Sequence, residues 1–168
     1  MTWTSSSVPY ITAPEPGEPD AWTKSGGTQR LLGVDVVDAS DEVRAALQLP
    51  AGARVVRRSR LILDAVGPME VATSYWPAEW AAGTALAESK AVKGGTLRAL
   101  ADIGRVAERS VEDVTVAIAD EVNCPEAPAG VALLAIKRTM YGAADAPFEH
   151  IVMYRWNGDP QRYVLRAG

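Results

Sequence analysis

The sequence predicts an α+β fold: a mostly antiparallel sheet of about six strands with two or three helices. Three observations lead there. First, residues 55–77, VVRRSRLILDAVGPMEVATSYWP, read as a β-hairpin. Val55 to Leu63 is β-branched and apolar with arginines interleaved, Asp64 to Pro68 is rich in turn formers, and Met69 to Tyr75 returns as a second strand. Second, this stretch has a partner 78 or 79 residues later. DEV and PAG at 41–43 and 50–52 recur at 120–122 and 128–130, Arg60 matches Arg138, Pro68-x-Glu70 matches Pro147-x-Glu149, and Tyr75 matches Tyr154. Coincident identities at a nearly fixed offset indicate an internal duplication, with units at 34–77 and 113–156. Two units are too few for a solenoid and suit one domain with pseudo-twofold symmetry. Third, the remaining β-branched runs are short and bounded by turn residues.

Taken in order, residues 1–27 are rich in Ser, Pro, Gly and Thr, without periodicity, and read as an extended arm. Trp3, Tyr10, Ile11 and Trp22 make it too apolar for a pure spacer, so part of it is expected to pack on the domain (residues 28–168) or on a second subunit. Thr28 to Val37 is a strand candidate. Ser40 is a plausible N-cap, and Asp41 and Glu42 in the first turn favour the helix dipole. Val43, Ala46 and Leu47 share a face of that helix, which ends before Pro50. The hairpin follows. Pro77 can open a short helix carrying Trp80. Thr96, after Gly94-Gly95, is read as the cap of a helix with Leu97, Leu100 and Ile103, stopped by Gly104. Val111 to Ile118 is a strand. In the second DEV segment Pro125 and Pro128 leave about one helical turn. Val131 to Tyr141 and Phe148 to Trp156 are strands around a turn at 142–147, and Tyr163 to Leu165 is a possible last edge strand.

The totals exclude several classes. The 168 residues suffice for one domain with a tail, and the net charge of −4 argues against general affinity for nucleic acid or anionic membrane. No apolar run approaches the ~20 residues of a membrane span, and the N-terminus lacks the pattern of a secretory signal. A single cysteine allows no internal disulfide and suggests a cytoplasmic setting. One His and one Cys rule out a Cys/His zinc site within the chain, and no acidic cluster proposes another metal. With no nucleophile elbow, phosphate loop or dinucleotide fingerprint, no cofactor is expected.

Chemistry concentrates on the hairpin and its repeat. A period of two places Arg58 and Arg60 on one face with Val56 and Ile62. Two adjacent guanidinium groups either stay solvated or meet an anion or carboxylates. Glu70 and Glu149 are repeat equivalents: each is either a cross-strand ion pair, a ligand contact, or a general base if its pKa is raised. His150, the sole histidine, is structural or a base, and it faces away from Glu149. Ser74 shares a face with Glu70 and, with Thr73 and Tyr75, offers hydroxyls. Arg138 repeats Arg60. Gly94-Gly95-Thr96 is a weak anion-receiving start of a helix. Cys124 reads as a packed thiol, and Trp76 and Trp80 either wall a pocket or join the core.

Arg58-x-Arg60, Gly67-Pro68, Thr73-Ser74-Tyr75-x-Pro77, Gly94-Gly95-Thr96-Leu97, Arg138 and Pro147-x-Glu149 together resemble the UTRA domain, the effector-binding half of GntR-type transcription regulators of the HutC-like branch. Asp20-Ala21-Trp22 and residues 27–32 resemble actinobacterial members. The resemblance spans roughly Tyr10 to Leu165. It implies a chorismate-lyase-like fold with a ligand cleft between the halves, in which Arg58, Arg60, Ser74, Tyr75, Arg138, Glu149 and Thr96 are candidate ligand contacts. It also implies a small, acidic effector and a homodimer. The winged helix-turn-helix that precedes such domains is not in this sequence, so direct binding of nucleic acid is not expected. The expectation is therefore a small-molecule effector-binding domain. The alternative is an enzyme doing lyase-, cyclase- or isomerase-type acid/base chemistry in the same cleft, with Glu149, Glu70 or His150 moving protons.

Overall fold

In the computed structural model, which describes residues 2–166, the chain runs β1 (Thr2–Ser5), α1 (Ala21–Lys24), β2 (Thr28–Asp38), α2 (Asp41–Leu47), β3 (Arg54–Leu63), β4 (Pro68–Pro77), α3 (Ala78–Ala81), α4 (Thr96–Asp102), β5 (Arg109–Ile118), β6 (Ala132–Tyr141), β7 (Pro147–Arg155) and β8 (Tyr163–Arg166). Six strands form one antiparallel sheet in the order β2-β3-β4-β7-β6-β5. The order is palindromic with respect to the duplication. Each unit supplies a three-stranded meander, and the pseudo-twofold axis passes between β4 and β7, where Glu70 pairs with Arg155 and Tyr75 with His150. Segments of the arm add to this frame: β1 pairs with β8 in a separate two-stranded sheet. The side chains of Trp3 and Trp22, named above as apolar anchors, lie outside the described residues.

Local chemistry explains the turns. Between β3 and β4, the Asp64 carboxylate accepts from the backbone N–H of Val66 and Gly67 at 2.8 and 3.0 Å, closing the hairpin. Ser40 caps α2 by accepting from Val43 N–H at 3.3 Å. At the other end of α4, Gly104 has φ +77°, its N–H reaches Ala101 O, and Arg105 N–H reaches Leu100 O, a Schellman stop. The N-terminal end of α4 corrects one expectation. Gly95, not Thr96, holds the N-cap position, and no side chain caps this helix. The second DEV segment forms no helix. Asp120 Oδ1 instead accepts from the N–H of Val122 and Asn123 in a tight turn, because Pro125 and Pro128 forbid continuation.

The sheet is covered on both faces. Residues 78–108 cross one face on the way from central β4 to edge strand β5. There Ala81, Leu86 and Leu100 are buried against Val56, Ile62, Trp76, Ile136, Met140, Ile151 and Met153. Full burial of Leu86 and Leu100 stabilises this layer by about 1.5–3 kcal/mol each. On the opposite face, Val43 and Leu47 of α2 pack on Val55, and Cys124 and Ala127 pack on Leu61, Val71 and Leu133. Trp76 is fully buried core, and Trp80 packs at the edge of that core beneath Arg105.

Candidate functional site

Because side chains alternate along each strand, one face of the central sheet receives Arg58 and Arg60 from β3, Glu70 and Ser74 from β4, Arg138 from β6, and Glu149 and Arg155 from β7. All of these except Arg58 and Ser74 border a cavity of about 320 Å³. The arm encloses it with Ser7, Tyr10 and Asp20, and the crossover contributes Thr96 and Leu97.

The duplication supplies two arginines and two glutamates at equivalent positions, but the molecule treats the copies differently. Arg138 is 5% exposed and directs Nε and Nη2 to Glu112 Oε1 at 2.7 and 2.6 Å. Glu70 accepts on Oε2 from Arg155 Nε and Nη2 at 2.8 and 2.7 Å. Those two charges are matched inside the protein. Arg60 is half-buried and has no carboxylate within ion-pair distance among the described residues. It donates through Nη2 to Ser74 Oγ at 2.8 Å, and its Nε is buried without a partner. Glu149 is 1% exposed, and its Oε2 has no hydrogen-bond partner. Trp76, the residue equivalent to Arg155, carries a buried indole N–H that likewise stops short of a hydrogen bond.

The electrostatics follow from that asymmetry. Burial raises the Glu149 pKa to about 7, against the opposing pull of Arg60, the Ser74 hydroxyl, Arg138 and the Trp76 indole. Burial also pulls the Arg60 guanidinium down from its ordinary value, and Glu149, Glu70 and Asp20 counteract it. Arg60 stays cationic, as guanidinium does in proteins. The cavity thus presents one cation that the protein has not matched with an ion pair, and one acid that changes charge near neutral pH.

The sequence-derived candidates separate into three groups. Arg60, Glu70, Arg138, Glu149 and Thr96 meet at the cavity. Ser74 sits behind them, holding Arg60. Arg58, Tyr75 and His150 are elsewhere. Arg58 is 3% exposed and donates to the carbonyl oxygens of Leu86, Glu88 and Lys90 at 3.3, 2.8 and 2.6 Å, so it clamps the crossover to the sheet. Tyr75 and His150 point to the opposite face. There Thr139 Oγ1 lies 3.0 Å from His150 Nδ1, and Glu42 Oε1 lies 3.4 Å from Nε2. Burial holds the His150 pKa below its ordinary value despite Glu42. Cys124 is on that face too, its thiol pushed up by burial.

Sequence reasoning missed Arg155, Glu112 and Asp20. Arg155 lies on the same alternation as Glu149, Ile151 and Met153, so a charged residue on an inward face was the available signal. Glu112 lies directly opposite Arg138 in the β5–β6 register, which no single-sequence pattern displays.

Among the described residues no helix is long and apolar enough to cross a membrane, and no group of three or more His, Cys, Asp or Glu is placed to hold a metal. Comparison with known proteins matches the UTRA domain model over residues 26–159. An uncharacterized HTH-type transcriptional regulator of Streptomyces coelicolor is 36% identical over 84 residues, 48% of this chain but 31% of that protein. The match therefore spans less than a third of the curated relative's length. Among solved structures, the ligand-binding domain of a protein described as a GntR-family regulator from Bordetella bronchiseptica superposes with a TM-score of 0.69 at 24% identity, over 84% of this chain and 91% of that one. The effector domain of PhnF from Mycobacterium smegmatis gives 0.68 at 19% identity, over 79% and 84%. The C-terminal domain of YurK from Bacillus subtilis gives 0.68 at 18% identity, over 76% and 88%. These likenesses establish the fold, and the family match, which includes both halves of the duplicated sheet, shows that the chain belongs to the UTRA domain family.

Proposed function

We propose that this chain senses a small molecule on behalf of a GntR-type regulator, and that the cavity between the two halves binds an effector through an acidic group docked on Arg60. One observation carries this reading: of the three arginines bordering the cavity, Arg60 alone has no carboxylate paired with it among the described residues. A half-buried guanidinium held by a neutral serine keeps donors available for a carboxylate or phosphate. Glu149 and Thr96 border the same space and would contact the polar remainder. Arg138 is committed to Glu112 and Glu70 to Arg155, so these two shape the wall and its charge balance.

Catalysis has less support in this geometry. His150 and Cys124 face the other side of the sheet, and Glu149 is the one group with a pKa resolved near neutrality in the cavity.

The test is a thermal-shift and calorimetric screen of small carboxylates and sugar phosphates against the wild type, Arg60→Ala and Arg58→Ala. A hit that Arg60→Ala weakens by about 1.5–3 kcal/mol supports the reading. Binding that survives Arg60→Ala unchanged removes it. The HutC-like resemblance also makes a homodimer the proposed assembly, readable by light scattering on the purified protein.

A further inference from the structure

The charges in the cavity point beyond an acidic ligand to a narrower class. Resting on the reading above, we propose that the effector is zwitterionic: its anionic group docks on Arg60, and an ammonium or comparable cationic donor meets Glu149.

The argument is one of charge complementarity. The duplication places an arginine and a glutamate in each half. Two of the four are neutralised within the protein, Arg138 by Glu112 and Glu70 by Arg155. What remains is one cation, Arg60, and one acid, Glu149, whose buried Oε2 has no partner. They border one cavity, yet lie too far apart to form an ion pair with each other. A buried acceptor left unpaired is costly, and a ligand donor relieves that cost.

A purely anionic ligand satisfies Arg60 but adds a second negative charge beside Glu149. The groups facing Glu149 from each side do not offset it. From β3 there is Arg60, already claimed by the anion; from β4, Ser74, Trp76 and Glu70; from β6, Arg138, already paired. The remaining ionisable groups at the cavity are Arg155, paired with Glu70, the Tyr10 phenol, and the carboxylates of Asp20, Asp64 and Asp159. An anion alone therefore favours the protonated form of Glu149, whereas a zwitterion matches both charges. The buried Oε2 without a partner marks a carboxylate that the protein alone does not compensate, and burial raises its pKa toward neutrality in accord.

The test uses matched sulfonates, whose anionic end does not titrate: taurine and 3-aminopropanesulfonate against ethanesulfonate and propanesulfonate, measured by calorimetry or ligand-observed NMR on the whole chain at pH 8. The expected result is that the amino compounds bind about tenfold tighter than their partners, as one added charge-assisted contact gives. The gap collapses in Glu149→Gln and narrows in wild type at pH 5.5. Equal or tighter binding of the simple sulfonates to wild type at pH 8 overturns the zwitterion assignment, as does a gap that persists in Glu149→Gln. Arg60→Ala separates the two levels: if it leaves all affinities unchanged, the anion-docking reading itself falls. Failure of all four probes to bind the folded wild type counts against both.

Discussion

Glu70 and Arg155 face each other across the β4–β7 junction, with two N–H groups of the arginine converging on Glu70 Oε2 at 2.7 and 2.8 Å. The pseudo-twofold copy of this relationship is Glu149 facing Trp76, with no cation supplied. One substitution in the repeat, arginine against tryptophan, turns a structural ion pair into an open acid. Removing Arg155 should therefore hurt the fold before it affects ligand binding. Arg155→Met leaves Glu70 buried and uncompensated and is expected to cost about 3–5 kcal/mol in urea unfolding. The double variant Glu70→Leu/Arg155→Met should recover most of that loss. A single variant within 1 kcal/mol of wild type would show that this pair is not buried in the sense argued.

Glu149 sets a pH dependence of stability. Its pKa is about 7 folded against 4.5 for the ordinary carboxylate, so between those values the folded state holds a proton that the unfolded state has lost. Stability is then highest below about pH 4.5 on this account and falls as pH rises toward 7, by about 3 kcal/mol in total. Glu149→Gln should abolish that slope. Denaturation midpoints of the two proteins compared from pH 4.5 to 8 read it directly, and parallel curves would contradict the assignment.

His150 acts with the opposite sign. Burial lowers its folded pKa below 6.5, so the unfolded state binds the proton more readily, and stability falls as pH drops below 6.5. His150→Gln should remove this acid-side loss without changing binding in the cavity, because the imidazole lies on the other face with Thr139 and Glu42. NMR titration of the single imidazole checks the direction: an apparent pKa at or above 6.5 would refute it.

Arg58 is expected to behave as a fold residue. It holds three carbonyl groups of the crossover, and charge-assisted hydrogen bonds of this kind contribute about 1.5–3 kcal/mol each before relaxation. Arg58→Lys should destabilise by about 2–4 kcal/mol, since a single ammonium cannot reproduce the planar fork. Amide exchange at 86–90 should accelerate, while sulfonate affinity per folded molecule stays near wild type. Unchanged exchange there would mean the clamp is dispensable.

Gly95 tests how the arm closes the cavity. Its φ is +85°, and a Cβ at this position would lie 2.7 Å from Asp20 Oδ2. Gly95→Ala combines backbone strain with a collision against the arm, so Asp20 must move. Protease cleavage within residues 12–27 should quicken in this variant and remain slow in wild type. Equal rates would show that Asp20 accommodates the methyl group without releasing the arm.

Much of the architecture was legible in the residues. Period-two alternation placed Arg58, Arg60, Val56 and Ile62 on one face and separated Glu149 from His150, as the sheet shows. The offset of the repeats anticipated one domain with pseudo-twofold symmetry, and the structure adds the strand order, in which the two units pair through their equivalent strands β4 and β7. The prolines at 125 and 128 limited the expected helix to about one turn, and the segment forms only turns. What alternation cannot say is which residue on a face reaches a cavity. Arg58 and Arg60 are indistinguishable by period, yet one turns into the carbonyl groups of the crossover and the other borders the open space. The same holds for Thr96, whose place beside Gly95 suggested a cap that the helix start does not use.

The sequence by itself determined the strands, their turns, the duplication and the set of charges that face one way, since these depend on neighbours a few residues apart and on side chains that alternate with the backbone. Only the tertiary structure decided which of those charges are spent on each other. Glu112 meets Arg138 and Arg155 meets Glu70 because of strand register, and Arg60 and Glu149 are left over because Leu31 and Trp76 occupy the corresponding places. Register is set by the packing of the whole sheet, and a one-residue slip would have exchanged every partner.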